Sequence, residues 1–294
     1  MKVRYAVRQQ LWGVAFILPF LAFFIVFFVV PVVMAFWLSF VEWHPRGTTI
    51  FVGMKNYVDV LGMDSFLKAV RNSFLYALMV VPASIAISLL IAILIISLRS
   101  KRLQGFFQAT YYLPGVISGL AVAIIWRFVF DFETGVLNYF MSLLGLPPVA
   151  WLGTAATALP SLALMALFAG HGGAIIIFCA ALLGIPSELY EAAEVDGASF
   201  WTRHRRITLP LLTPALLYVL VISTIGALQM FVPVFVLTRG GPVYSTITVG
   251  YYIYNQLMYY ANAGTAAAAG ILLLLATVGL TAVQFRRFSQ VVEY

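Results

Sequence analysis

EAAEVDGASFWTRHRRITLP, residues 191–210, decides how the rest of the chain must be read. It holds three acids, three arginines and a histidine. It is set in a chain with only 9% charged residues, 63% hydrophobic residues and a mean hydropathy of +1.01. Six formal charges at mid-bilayer would cost on the order of 15 kcal/mol, at roughly 2.5 each. The stretch must therefore lie in water while most of its surroundings do not.

Soluble domains carry about 25% charged residues. This chain has too few to cover a water-facing surface, and its apolar runs repeatedly exceed the about 18 residues that mark a spanning candidate. The expectation is an all-α polytopic membrane protein with six transmembrane helices: 11–40, 74–98, 106–130, 159–183, 214–237 and 266–285. A barrel would show short alternating segments instead. The first run is too long for the about 7–15-residue apolar region of a signal peptide and lacks a small-residue cleavage site, so it reads as a retained span.

Charge placement orients these spans. Lys2, Arg4 and Arg8, then Arg99, Lys101 and Arg102, then Arg203, Arg205 and Arg206, then Arg286 and Arg287 make eleven of the 17 cationic residues on one side. Arg46, Lys55, Lys68, Arg71, Arg127 and Arg239 fall on the other. The positive-inside rule places the first set, and with it both termini, in the cytoplasm. An even number of spans requires the termini to share a side. The net charge of +7 is thus a matter of orientation, and no nucleic-acid partner is expected. The outer connections, 41–70, 131–158 and 238–264, are rich in aromatics and glycine. The second reads as a short interfacial helix ended by Gly145 and Pro147-Pro148. Cys179, the single cysteine, lies in an apolar run and can form no intrachain disulfide.

Residues 187–210 read as two short cytoplasmic helices. Ser187 is expected as N-cap of the first, with Glu188 and Glu191 near the positive end of the helix dipole. Ala192 and Ala193 favour helix and allow another surface close approach. Gly197 can take positive φ and end the helix. The second helix starts near Ser199, carries Phe200 and Trp201, and then the three arginines. Topology needs only the basic residues, so the acids and exposed aromatics point to a docking surface of the helix-in-groove kind.

Glu191-Ala192-Ala193, Asp196-Gly197-Ala198 and Ile207-Thr208-Leu209-Pro210 resemble the EAA loop of binding-protein-dependent ABC importer permeases. Tyr112-Leu113-Pro114, Ile125-Trp126-Arg127, Gly135-Val136-Leu137-Asn138, Leu183-Gly184-Ile185-Pro186 and Leu237-Thr238-Arg239-Gly240-Gly241-Pro242 resemble the sugar-permease branch, the maltose and glycerol-3-phosphate type. So do Phe51-Val52-Gly53 with Asn56-Tyr57, and Gln284-Phe285-Arg286. The likeness runs over nearly the whole chain. It departs at Phe168-Ala169-Gly170-His171-Gly172-Gly173, where relatives often carry a Trp-Lys pair, and at His204 and Arg239.

The resemblance implies a type I ABC importer-like fold and a permease subunit carrying a sugar or a related polyol or glycerol phosphate. Its partners would be a second homologous permease, two ATP-binding ABC ATPase subunits, an extracytoplasmic solute-binding protein, the carbohydrate substrate and membrane lipid. The implied location is the cytoplasmic membrane of a prokaryote. Residues 187–210 would be the coupling loop, with Glu191, Ala192, Ala193, Asp196, Gly197, Phe200 and Trp201 meeting the ATPase.

The chain has no GxxxxGK[ST] phosphate loop, so ATP hydrolysis is assigned to another chain and no catalytic residue or cofactor is expected. For the substrate path the candidates are Gln229, Asn72 and Thr224. Gln229 stands out because an amide inside a span is costly without a partner, and that partner can be another helix or a sugar. His44, His171 and His204 show no paired ligand spacing, so no metal site is expected. An ion-coupled secondary transporter or channel subunit is the alternative; such carriers tend to place acids or broken helices at mid-membrane, and none of the six runs contains an acid. An intramembrane enzyme would need clustered His, Asp or Glu, and the acids here are scattered.

Overall fold

The structure is a computed structural model that describes residues 14–43 and 49–289. Lys2, Arg4, Arg8, His44, Arg46 and the first three residues of the 11–40 run lie outside the described residues. Among the described residues the fold is all-helical except for one two-residue antiparallel ribbon, β1 (Val41–Glu42) with β2 (Ile50–Phe51), in which Val41 faces Phe51. Three helices are long and apolar enough to cross a membrane: α1 (Val14–Leu38), α3 (Asp64–Ile96) and the last, α13 (Ala263–Ser289), which follows the short α12 (Val249–Met258). Three sharply bent helix pairs bring the number of candidate spans to six, one span to each pair. The chain divides into two compact units, Met1–Gly62 with Ile253–Leu272, and Met63–Tyr252 with Leu273–Tyr294.

In the first unit α1 is lipid-like along its whole length, with no buried residue in its apolar window. Its ladder widens to i→i+5 bonds over Ile25–Val29, just before Pro31. Proline has no N–H and crowds the carbonyl one turn back, and a wider turn there relieves both. Below α1 the ribbon is fixed by α2 (Lys55–Gly62). Asn56 Nδ2 donates to the carbonyls of Ser39 and Val41, both at 3.0 Å, and Tyr57 Oη–H donates to Ser39 Oγ at 2.8 Å. The start of α13 (Ala263–Ser289) packs backbone to backbone against this knot: a Cβ on Gly264 would lie 2.3 Å from the Val41 carbonyl.

The second unit is built around α3. Its 33 residues give about 50 Å at 1.5 Å per residue, well beyond the hydrocarbon thickness. It begins ten residues before the apolar run because Asp64 to Ser73, which mix charged and polar residues with Phe66, Leu67, Ala69 and Val70, are helical as well; hydropathy marks only the uninterrupted apolar part. Next come α4 (Lys101–Val116) and α5 (Gly119–Val129), bent by 91°, then α7 (Ala158–Ala169) and α8 (Gly172–Leu183), bent by 50°. Pro114 near the end of α4 and extended Ile117 and Ser118 explain the first break. The glycines around His171 explain the second. A core of Ala92 and Ile95 from α3, Ile175, Phe178 and Cys179 from α8, and Val219 joins these helices.

Between α5 and α7 the chain forms a tight knot around α6 (Val136–Leu143). Asp131 Oδ1 accepts from the N–H groups of Glu133 and Thr134 and from the Thr134 hydroxyl. Those bonds, led by the one from the Thr134 backbone, hold its carboxyl below the usual carboxylate range. Gly135 must be glycine, because a Cβ would sit 2.1 Å from the Asp131 carbonyl. Buried Asn138 donates to the Phe132 and Val149 carbonyls and accepts from Val149 N–H and Trp151 Nε1–H. Gly145, at φ +70°, ends α6.

Two outcomes follow from this packing. Asn138→Ala strands buried partners on both sides of the 131–151 loop, each worth about 1–3 kcal/mol. Protease cleavage within 131–151 should appear in the variant at conditions where the parent resists. Gly172→Ala drives a methyl to 2.5 Å from the Tyr111 carbonyl and 2.6 Å from Tyr112 Cα. Forced separation of α8 from α4 should lower the unfolding temperature in detergent by the equivalent of about 1–3 kcal/mol; Gly173→Ala, whose Cβ meets nothing within 4 Å, is the matched control.

Candidate functional site

The charged stretch folds as α9 (Ser187–Val195) and α10 (Phe200–Leu211). Pro186 is the N-cap of α9, and Ser187 is its first helical residue rather than the cap, because Pro186 takes the extended conformation (ψ 132°) and the helix begins one residue earlier than expected. The other end closes as a Schellman motif: Ala198 N–H donates to the Ala193 carbonyl at 2.9 Å and Gly197 N–H to the Glu194 carbonyl at 3.0 Å. Gly197 has φ +74° with nothing within 4 Å of a built Cβ, so the demand for glycine is conformational and leaves open space around it. Ser199 caps α10 by accepting from Thr202 N–H.

Two bonds fix α9 on α10. Arg203 Nη1 donates to Glu194 Oε2 at 3.1 Å, and the Tyr190 and Thr208 hydroxyls lie 2.9 Å apart with Thr208 buried. The hinge between the two helices is four residues long, Asp196 to Ser199. The unit is therefore held at both its turn and its base.

The residues singled out in the sequence fall on the outside of this unit. Glu191, Ala192, Asp196, Gly197, Phe200 and Trp201 are exposed, and Ala193 is half-buried. Trp201 is 79% exposed and stands edge-on to Phe200, whose ring lies 4.1 Å from that of His204. Sequence reasoning missed two contributors. Val195 is 89% exposed, and Leu189 is exposed as well. Their spacing from Ala192 along α9 was the available signal. Four large apolar side chains thus stand free on a segment too charged for lipid, which marks a surface built to be covered.

The third bent pair joins α10 to α11 (Thr213–Leu228) at 68°, with Pro210 and Pro214 flanking Leu212. The run read as 214–237 is not one helix: α11 stops at Leu228, and a separate wide turn covers Val234–Thr238 beside Pro233. Gln229 consequently caps α11 instead of sitting in mid-helix; it is exposed, and its side chain makes no hydrogen bond among the described residues. Thr224 is buried and satisfied, donating to the Leu220 carbonyl at 2.7 Å and accepting from Gln284 Nε2 at 2.9 Å. Asn72 spends both amide hydrogens on the Tyr244 and Ile247 carbonyls, at 2.9 and 3.0 Å. Two of the three path candidates, Thr224 and Asn72, are thus bonded within the chain.

Instead, a cleft of about 380 Å³ opens at the α7–α8 break, lined by Ile87 and Ile91 of α3, Tyr111 and Pro114 of α4, and Leu167, Phe168 and His171. His171 Nε2 faces the Leu167 carbonyl, which can only accept, so Nε2 carries a hydrogen. Nδ1 and the Ser84 hydroxyl lie 3.0 Å apart, within hydrogen-bond distance. No group of three or more metal-ligating side chains occurs among the described residues.

Residues 62–288 match the family described as "Binding-protein-dependent transport system inner membrane component". The chain is 35% identical over 262 residues to the arabinooligosaccharides transport system permease protein AraP of Bacillus subtilis, covering 88% of this chain and 83% of that protein. It is 32% identical over 291 residues to the trehalose/maltose transport system permease protein MalF of Thermococcus litoralis, covering 97% and 95%. Among solved structures it is similar to a bacterial alginate ABC transporter in complex with an alginate pentasaccharide-bound periplasmic protein. That similarity has a TM-score of 0.83 and 25% identity, over 97% of this chain and 96% of the other. This polytopic chain belongs to the family of binding-protein-dependent transport system inner membrane components, in the sugar-permease branch of the ABC importers.

Proposed function

We propose that the chain is the membrane-spanning subunit of an ATP-driven importer and that α9 couples it to a separate ATPase. The observation that carries this reading is the α9–α10 unit. It is braced internally by Arg203–Glu194 and Tyr190–Thr208, yet it leaves Leu189, Val195, Phe200 and Trp201 uncovered. A braced unit with a bare apolar face passes on force without absorbing it. Shifting a two-state equilibrium from 1:99 to 99:1 takes about 5.5 kcal/mol of differential binding. The loop need not supply that energy; it has only to stay rigid while the partner closes.

On this reading a second, related permease completes the path, and two ATPase subunits bind below. A solute-binding protein delivers the ligand from outside, as the complex of the alginate transporter with its periplasmic protein suggests by likeness. The cargo is a sugar, an oligosaccharide or a related polyol phosphate, in line with the named cargoes of AraP and MalF. The cleft beside His171 and the free amide of Gln229 are then places where a sugar hydroxyl finds a partner. Both termini face the cytoplasm, the spans are the six helices or bent pairs, and the chain itself is not an enzyme.

The broken spans bring the ion-coupled carrier back into view, since carriers use discontinuous helices to coordinate ions. Here the breaks carry glycine, proline and a hydrogen-bonded imidazole, and no apolar run carries an acid. The importer reading accounts for both the breaks and the uncovered α9 surface; the carrier reading accounts only for the breaks.

Full-length chain purified from its native membranes should bring down a subunit that hydrolyses ATP. Gly197→Val, which forces a branched residue into left-handed φ at a cost above about 1 kcal/mol, should cut the recovered ATPase activity at least about tenfold with membrane levels of the chain unchanged. Full ATPase recovery with Gly197→Val would remove the coupling role. Uptake driven by an ion gradient, with no ATPase recovered, would establish the carrier.

A further inference from the structure

A second cleft, of about 410 Å³, lies at the N-terminal end of α3, away from the His171 cleft. Its size falls in the about 300–1,000 Å³ range of small-molecule sites. One wall is a single stripe of α3, Lys68, Arg71, Leu75 and Met79. The opposite walls come from the first turn of α7, with Leu159 and Pro160, and from the loop Val243–Ser245.

The charge in this cleft is not balanced. Lys68 Nζ is paired with Asp64 at 2.7 Å and stands 5.7 Å from the centre of the Tyr244 ring. Arg71 is exposed and has neither an ion pair nor a hydrogen bond among the described residues. The other wall holds a matching anomaly: the Ser245 Oγ is buried and makes no hydrogen bond. A buried hydroxyl without a partner is uncommon in native proteins and calls for an unseen water, ion or ligand.

The loop that presents Tyr244 and Ser245 is held in a costly shape. Val243 and Tyr244 both adopt left-handed φ, 51° and 59°. Asn72, one residue from Arg71, fixes them there through its bonds to the Tyr244 and Ile247 carbonyls. The same turn of α3 therefore supplies both the free cation and the brace for the opposite wall. Past Arg71 the stripe turns apolar with Leu75 and Met79.

We propose that this cleft is an oxyanion site, in which the Arg71 guanidinium binds one carboxylate or phosphate group. Ser245 donates to the same group, and the carbon body of the ligand lies against Tyr244, Leu75 and Leu159. A planar guanidinium suits a two-oxygen anion in bidentate geometry, and an aromatic face suits a ring beside it. Two sources offer this chemistry: an acidic or phosphorylated sugar, and the headgroup of an anionic phospholipid whose chain follows the apolar stripe.

The test is direct binding to the full-length chain in phosphatidylcholine nanodiscs, so the result does not depend on the importer assignment. In one arm glucuronate and inorganic phosphate are titrated by calorimetry, with glucose as the neutral control. In the other, retention of phosphatidylglycerol against phosphatidylcholine is followed by native mass spectrometry. At least one anion should bind where its neutral or zwitterionic counterpart does not. Arg71→Gln should weaken that binding about tenfold or more, the scale of one lost hydrogen bond to a charged group. Ser245→Ala should weaken it several-fold, and Arg127→Gln should not change it. Binding in the first arm identifies a soluble acid as the ligand; retention in the second alone identifies the lipid. No preference for an anion in either arm, or equal binding by the parent and Arg71→Gln, would overturn the proposal.

Discussion

Hydrocarbon offers no hydrogen bonds, so every backbone group that a spanning helix releases must find a partner within the protein. Three of the apolar runs are nevertheless interrupted, two at bends of 91° and 50°, and the third, 214–237, where its helix stops at Leu228. The second unit is arranged around covering those interruptions. Ser84 and the Leu167 carbonyl flank His171 where α7 gives way to α8. Beyond α11, Thr248 donates to the Met230 carbonyl at 2.7 Å, and Ser73 accepts from Val249 N–H at 3.1 Å. Asn72 closes two more carbonyls. Each repair uses a small neutral side chain from α3 or from the loop opposite. This explains why a 33-residue helix stays continuous while its neighbours break: α3 is the post to which the breaks are tied.

The charged loop obeys a different economy. In water its ion pair is worth little, about 0–1 kcal/mol, and Glu194 is 72% exposed while Arg203 is 24% exposed. Its stiffness comes instead from covalent geometry and backbone bonding. The Schellman closure at Gly197, the four-residue connection and the Tyr190–Thr208 bond leave few soft torsions between α9 and α10. Because α10 bends directly into α11 at Leu212, a displacement of α9 is passed to a membrane helix through one joint, with no flexible linker between them.

Composition and helical end signals made much of this legible. The count of apolar runs followed from hydropathy, and the left-handed residue at 197 followed from Asp-Gly after a run of helix formers. The two short helices within 187–210 followed from its capping and turn residues. What hydropathy could not see was continuity. Gly170, His171, Gly172 and Gly173 are flanked on both sides by strongly apolar residues, so a hydropathy window averaged over a break that only backbone freedom reveals. Gln229 looked expensive in mid-span because the window ran on to Leu237, whereas Pro233 and the turn after it had already ended the helix. Thr224 and Asn72 are polar residues whose partners, Gln284 and the Tyr244 and Ile247 carbonyls, lie 60 to 175 residues away in the chain. No local pattern announces such a pair. The missed apolar residues of the loop, Leu189 and Val195, have another cause: isolated hydrophobes on a short polar helix look like its inner face until the structure shows that α9 buries none of its residues.

The neutrality of the interior bears on where work is done. A carrier that stores energy in an ion gradient needs a charge inside the membrane on which the gradient can act. Apart from Arg127 near the end of α5, the polar groups within the apolar runs are hydroxyls, amides and one imidazole; Thr224 and His171 are bonded to a carbonyl or hydroxyl while Ser88 Oγ is buried without a partner, and the dipoles of such groups couple weakly to a field across the bilayer. Such groups can exchange a hydrogen bond with a passing hydroxyl at little net cost, because the bond lost and the bond gained are alike. They cannot by themselves make one direction of exchange favourable. In a molecule so built, direction has to be imposed by moving the helices, and α9 is where a partner could take hold of them. Its bare apolar face is set in water, on a braced unit continuous with α11.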